Sequence, residues 1–340
     1  MKNKEFKKIL IIGHRNIGDA CCDLVVVKPL RRKFKNAEIV FLTSPVSKDI
    51  VEGYKGLDRV IVFDKYGADK GIWGRLRLVF LLRRERFDLV VALSSTLMHR
   101  YIGARYQWSV RKYLGCLPQD KKMHIADIYI EFLRSFGVEA QKEHWDFDVE
   151  AEDNFCDEFL RKAGVNEGER IAGILPYSGW LLKDWPIERW NDLADLLKSE
   201  YSLKVIAFGK VADDINGREK LTHFSPSIIS AVNKTTLKQA LSLIKRCNLF
   251  IGVDSSLLHL ASCMGVETVG LFGATSKEYI YPYFHYSNVI TPAQKRYCMP
   301  CYPGLNPCPC MKDKITKSPC MEDISVESVM QLVRQKKIVK

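Results

Sequence analysis

No run of about 18 or more apolar residues occurs in these 340 residues, so nothing here reads as a membrane-spanning helix. The N-terminal MKNKEFKKILIIG has a basic start and a short apolar run but no small-residue cleavage site. That run reads as a first strand rather than a secretory leader. Without a leader, the eleven cysteines are expected to be thiols kept reduced in a cytoplasm. Internal repeats and low-complexity tracts are missing, and so are zinc-finger, RNP and helix-turn-helix signatures, so nucleic acid is not an expected partner. Acidic residues are outnumbered: 40 Asp and Glu meet 52 Lys and Arg, a net +12. Most of the excess, +9, lies in residues 1–150, and only +3 in 151–340. The first half is therefore expected to attract an anionic saccharide or an anionic membrane surface.

The phosphate loop also lacks its key residue. KKILIIG runs into Gly13-His14-Arg15-Asn16-Ile17-Gly18-Asp19, with P-loop glycine spacing but Asp19 where a P-loop has lysine. A dinucleotide fingerprint fails too, because Arg15 replaces its second glycine. A carboxylate would repel phosphate and suits a general base better. On the loop alone, Asp19 as a helix cap is an equal alternative.

What is present is alternation of β and α. Strands are expected at 8–12, 38–43, 59–63 and 88–93, and again at 170–175, 204–208, 227–230, 249–253 and 268–272. Helices between them imply an α/β chain with two doubly wound, parallel, Rossmann-like sheets. The series restarts near 170, which places the expected boundary at 150: residues 1–150, then 151–322, then a final helical segment at 323–340. Ligands of such sheets sit beyond the carboxyl ends of the strands, so two such domains facing a cleft suit a two-substrate reaction.

Two further stretches carry chemistry. A buried-strand pattern ends in Asp254-Ser255-Ser256, and a helix bearing His259 follows at once. Its first-turn N–H groups and hydroxyls suit an anion, with Asp254 either capping the helix or binding a ribose hydroxyl. A plain capped helix with a packed histidine is the alternative. In Leu175-Pro176-Tyr177-Ser178-Gly179-Trp180-Leu181-Leu182-Lys183, a lysine sits in the loop after a strand, placed to neutralise a leaving phosphate. A solvated lysine is the alternative.

Taken together, IGHRNIGDA, LPYSGWLLKDWP, NKTTLKQALSLI, GVDSSLLHLASCMG and VGLFGATSKEYIYPY resemble glycosyltransferase family 9, the ADP-heptose:lipopolysaccharide heptosyltransferases, over nearly the whole chain. The resemblance implies a GT-B fold with an acceptor-binding N-terminal domain and a donor-binding C-terminal one, the last helix returning to the first. It implies inverting transfer of a sugar, a heptose from ADP-heptose in the first instance, to a lipopolysaccharide-core or other phosphorylated lipid-linked saccharide. Asp19 matches the family's base and Lys183 its phosphate-binding lysine. Asp254, Ser255, Ser256 and His259 match the nucleotide loop, and Gly273 the turn around the donor. No metal is then required for catalysis. Ser178, Gly179 and Asp213 complete the expected donor site; Arg15, Gly18, Arg100 and Arg105 form the expected acceptor site. Departures are Ser256 and Lys210, where the family has glycine, and Ala274, where it has proline; they bear on the identity of sugar and base. The rival readings are a GT-B-fold nucleotide-sugar epimerase and a non-catalytic nucleotide-sugar binder.

Two segments remain. Residues 70–87, KGIWGRLRLVFLLRRERF, read as a basic helix with Trp73, Leu76, Phe80 and Leu81 on one side. It suits a membrane surface, and the protein is expected to be peripheral on the inner face of the cytoplasmic membrane. A core-facing helix is the alternative. Cys298, Cys301, Cys308, Cys310 and Cys320 crowd the loop 298–320, where structural zinc, an iron–sulfur cluster, a disulfide or plain thiols are all open.

Overall fold

A parallel strand covered on both faces reads as an unbroken apolar run. KILII forms such a strand, β1 (Lys8–Ile12), with Ile9, Leu10, Ile11 and Ile12 all buried. The computed structural model of the chain describes residues 4–116, 122–149, 152–211, 223–301, 309, 318–337 and 339. It divides into two compact units, Met1–Asp148 and Val149–Lys340.

In the first unit β1 lies between β2 (Glu38–Thr43) and β4 (Leu89–Ala92). β3 (Arg59–Val62) extends the sheet beyond β2, and β5 (Tyr106–Ser109) beyond β4. Every pairing is parallel, with Ile9 in register with Ile39 on one side and Leu89 on the other. Leu10, Ile12, Val40, Leu42 and Val90 pack with Leu78 and Leu82 of the helix Gly71–Arg84. The helix Ile125–Ser135 packs against the helix Ile17–Asp23 that follows β1. β5 escapes the sequence reading because it is a four-residue edge strand in which only Trp108 is fully buried.

The second unit has β6 (Ile171–Leu175), β7 (Lys204–Ala207), β8 (Ile228–Ser230), β9 (Leu249–Val253), β10 (Thr268–Leu271) and the two-residue β11 (Val289–Ile290). Their order is β11-β10-β9-β6-β7-β8, all parallel. Side chains alternate across the sheet. Ala172, Ile174, Leu249, Ile251 and Val253 join Trp190, Leu193, Ala194 and Leu197 of the helix Ile187–Tyr201. Ile171, Leu175 and Phe250 join the opposite layer, with Leu243 and Ile244 of the helix Leu237–Lys245, and Leu258 and Ala261 of the helix Ser256–Cys263. Gly173 is glycine for space: a Cβ there would stand 2.4 Å from the Phe250 ring.

The last helix, Val326–Gln335, buries Val329, Met330 and Val333 in the second unit's core, beside the helix Ile187–Tyr201. Its apolar row at i, i+3, i+4 and i+7 fits that groove. Ion pairing of Arg334 with Glu200 (2.6 Å) and a hydrogen bond from the Trp185 indole to the Ile324 carbonyl (2.9 Å) hold it there.

Candidate functional site

β1 sits at the centre of the first sheet, with β2 and β3 laid out on one side and β4 and β5 on the other, so its carboxyl end is a topological switch point. Gly13 follows immediately. A Cβ there would meet Phe41 at 2.4 Å and the Asp23 carboxylate at 2.8 Å, so this glycine makes room for protein, not for phosphate. Asp19 stands exposed in the first turn of the helix Ile17–Asp23, accepting a hydrogen bond from Asn16 Nδ2 at 3.3 Å. The N-cap position belongs to Asn16, so Asp19 is not the cap residue.

A pair that sequence reasoning missed lies beside it. Asp23 is fully buried and accepts from the His14 backbone N–H, while its second oxygen lies 2.9 Å from His14 Nδ1. Burial drives the Asp23 carboxyl pKa up, and His14 offsets only part of that. For His14 burial works against the charged form, but the hydrogen bond and charge of Asp23, with a further push from Asp19, outweigh it and raise the imidazole pKa. The sequence signal was a histidine and an aspartate bracketing the loop, which only the turn geometry brings together.

The expected acceptor residues are placed differently from one another. The Arg15 carbonyl accepts from Ser44 (2.6 Å) and Ser47 (3.1 Å) after β2, and its guanidinium lies over the exposed Tyr66 ring at 4.0 Å. Gly18 lies in the Asp19 turn. Arg100 is exposed in the short turn Met98–Tyr101 after β4. Arg105 precedes β5 and lies over Tyr106. Because β5 runs parallel to β4 and β1, Arg105 is at the amino edge of the sheet, the edge away from Asp19. The short strand β5 is what sets Arg105 at this edge.

In the second sheet the switch point falls between β6 and β9, which are neighbours although the chain runs through β7 and β8 between them.

 Loops from the two strand ends therefore meet. Lys183, in the turn Leu181–Lys183 after β6, puts its Nζ 2.7 Å from Asp254 Oδ2 at the end of β9. His259, one turn into the helix Ser256–Cys263, puts Nε2 2.9 Å from the other oxygen, Oδ1. Asp254 is only 6% exposed. Burial alone would raise its pKa, but the hydrogen bonds and charges of His259 and Lys183 win and hold the carboxyl far below the usual carboxylate range. Its side chain is therefore engaged by these two groups, not by the helix end. Ser255 is the N-cap residue, and among the described residues no side chain caps that helix. Its first-turn N–H groups therefore have no side-chain cap, and Ser255 and Ser256 beside them are half-buried.

The other expected donor residues differ in their surroundings. Ser178 is buried; its N–H donates to Asp184 (2.8 Å), and its hydroxyl lies 2.7 Å from the Trp180 carbonyl, which shapes the turn bearing Lys183. A Cβ on Gly179 would meet nothing within 4 Å, so nothing steric demands glycine there. Gly273, after β10, is different: a Cβ would meet Met321 at 2.7 Å and Cys320 at 2.8 Å. Its bareness makes room for the cysteine segment. Thr275, two residues on, was not singled out from the sequence; its buried hydroxyl finds no partner among the described residues. Asp213 lies outside the described residues, as do Cys308 and Cys310. Cys298, Cys301 and Cys320 are buried in the second unit's core. Among the described residues no three His, Cys, Asp or Glu side chains are grouped to hold a metal.

Residues 75–311 match the family model "Glycosyltransferase family 9 (heptosyltransferase)". Lipopolysaccharide heptosyltransferase 2 of Salmonella typhimurium is 30% identical over 315 residues, covering 83% of this chain and 87% of that protein. Among solved structures, a family 9 glycosyl transferase from Veillonella parvula superposes with a TM-score of 0.76 at 22% identity, covering 97% of both chains. ADP-heptose LPS heptosyltransferase II of E. coli does so with a TM-score of 0.73 at 20% identity, covering 97% of this chain and 99% of that one. The two structural likenesses establish the GT-B class of fold for the pair of parallel-sheet units.

Proposed function

Because this chain belongs to glycosyltransferase family 9 (heptosyltransferase), we propose that it moves a heptose, with inversion, from a nucleotide-diphosphate donor to a lipopolysaccharide-core or related lipid-linked saccharide. The observation that carries this reading is the Lys183–Asp254–His259 group at the switch point of the second sheet. Lys183 places a cation beside Asp254 in the loop after β6, the kind of charge that stabilises a leaving diphosphate. The uncapped start of the helix Ser256–Cys263 adds backbone N–H groups and a positive dipole end. ADP-heptose is the donor this reading favours, in line with the name of the E. coli structural relative.

In the proposed reaction Asp19 takes the proton of the acceptor hydroxyl. That oxygen attacks the anomeric carbon as the bond from that carbon to the diphosphate oxygen breaks, and the bonding electrons leave with the diphosphate. Lys183 and the helix start stabilise the charge that grows on it. Exposure of Asp19 beside the His14–Asp23 pair fits a base that must reach a substrate hydroxyl.

Asp19→Asn tests this. Transfer should fall by about 10²–10⁴-fold, the usual range for removing a general base, while the thermal shift given by ADP or ADP-heptose is kept. Full transfer by Asp19→Asn would overturn the assignment. Donor turnover without acceptor would point to an epimerase, and donor binding without any turnover to a binder.

A further inference from the structure

The helix Gly71–Arg84 is apolar on two sides, and the fold uses one. Leu78 and Leu82 are buried against the sheet. On the outward side Trp73, Leu76 and Phe80, spaced i, i+3 and i+7, are 79%, 51% and 60% exposed, with Ile72 beside them at 61%. Single exposed apolar side chains are ordinary, but a contiguous row with tryptophan in it marks a contact surface. Arginines rim the row. At 3.6 residues per turn Arg77 and Arg84 fall on one flank and Arg83 on the other, and the Arg84 guanidinium lies 5.6 Å from the Phe80 ring centre. Residues 65–86 hold seven Lys and Arg against two acids, a net +5. Both acids are already paired, Asp69 with Arg77 and Glu85 with Lys8 and Arg59.

We propose that this face seats the first unit on a bilayer rich in anionic phospholipid. Aromatic and aliphatic side chains enter the headgroup–acyl boundary, and the guanidinium groups around them meet lipid phosphates. A second copy of the chain is a poorer occupant, because it would set +5 against +5. The core-facing alternative for Trp73, Leu76 and Phe80 is excluded by their exposure. This proposal does not rest on the glycosyl-transfer reading, and its test uses neither donor nor acceptor.

The test is co-sedimentation of the full chain with vesicles of phosphatidylcholine alone, or of equal parts phosphatidylcholine and phosphatidylglycerol. The wild type should bind the mixed vesicles, bind the neutral ones far less, and be released by high salt. Arg83→Gln with Arg84→Gln should lower partitioning about 25-fold, at roughly fivefold per charge. Trp73→Ser with Phe80→Ser should lower it at least about tenfold. All four side chains are exposed, so unchanged melting temperatures will show that the variants fold. Failure of the wild type to bind mixed vesicles would overturn the proposal. So would wild-type binding by the Trp73/Phe80 variant, or a wild-type dimer that this variant abolishes without any vesicle binding.

Discussion

Replacing Asp254 with alanine should disturb the second unit more than replacing either of its partners. Asp254 is buried and holds Lys183 at 2.7 Å and His259 at 2.9 Å. Removing one member of a buried ion pair costs about 3–5 kcal/mol. The Lys183 side chain is 18% exposed and can turn toward water, so the low end of that range, about 3 kcal/mol, is expected. A domain of this size shifts by about 2–4 °C per kcal/mol, so the unfolding transition of the second unit should drop by roughly 6–12 °C. Scanning calorimetry is the suitable assay because the two units need not unfold together. Lys183→Met, which leaves His259 on Asp254, should lose less. The pH dependence has a definite sign. The folded pKa of Asp254 is depressed, so its contribution is complete above the unfolded carboxylate value of about 3.9 and is lost as pH falls below that. The gap between wild type and Asp254→Ala should therefore narrow only below about pH 4. A variant melting within about 1 °C of wild type, or a gap that widens in acid, would refute the reasoning.

Other outcomes follow from the same geometry. The His14 imidazole should titrate above its ordinary value by NMR, and Asp23→Asn should lower that midpoint. Since the folded pKa is raised, the stability this proton contributes is full below about pH 6.5 and is lost as pH rises through the folded value. Gly273→Ala should destabilise by about 1–3 kcal/mol in denaturant unfolding, because its Cβ would overlap Met321 and Cys320. Gly179→Ala, with open space around its Cβ, should stay within about 0.5 kcal/mol of wild type.

Much of the site was legible because its parts are local. A strand that ends in Gly13 and leads into Asp19, or one that ends in Asp254 and leads into His259, is a short-range pattern of burial followed by a turn. The roles within those segments were less legible. Gly273 reads as a ligand turn, yet its space is taken by Cys320, 47 positions away, a contact no local pattern announces. Arg105 reads as part of a basic cluster, yet a four-residue edge strand carries it to the far edge of the sheet.

The sequence by itself determined the alternation of strands and helices and the parallel, doubly wound class, because burial on both faces imposes an apolar run that the order of residues displays. Tertiary structure decided what depends on strand order. Lys183 reaches Asp254 because β6 and β9 are neighbours. It also decided which apolar face is used where a helix has two. Leu78 and Leu82 went inward and Trp73, Leu76 and Phe80 outward, and Val326–Gln335 packed into the second unit's core. Periodicity says that a face exists, but the partner that buries it is set by packing between segments far apart in the chain.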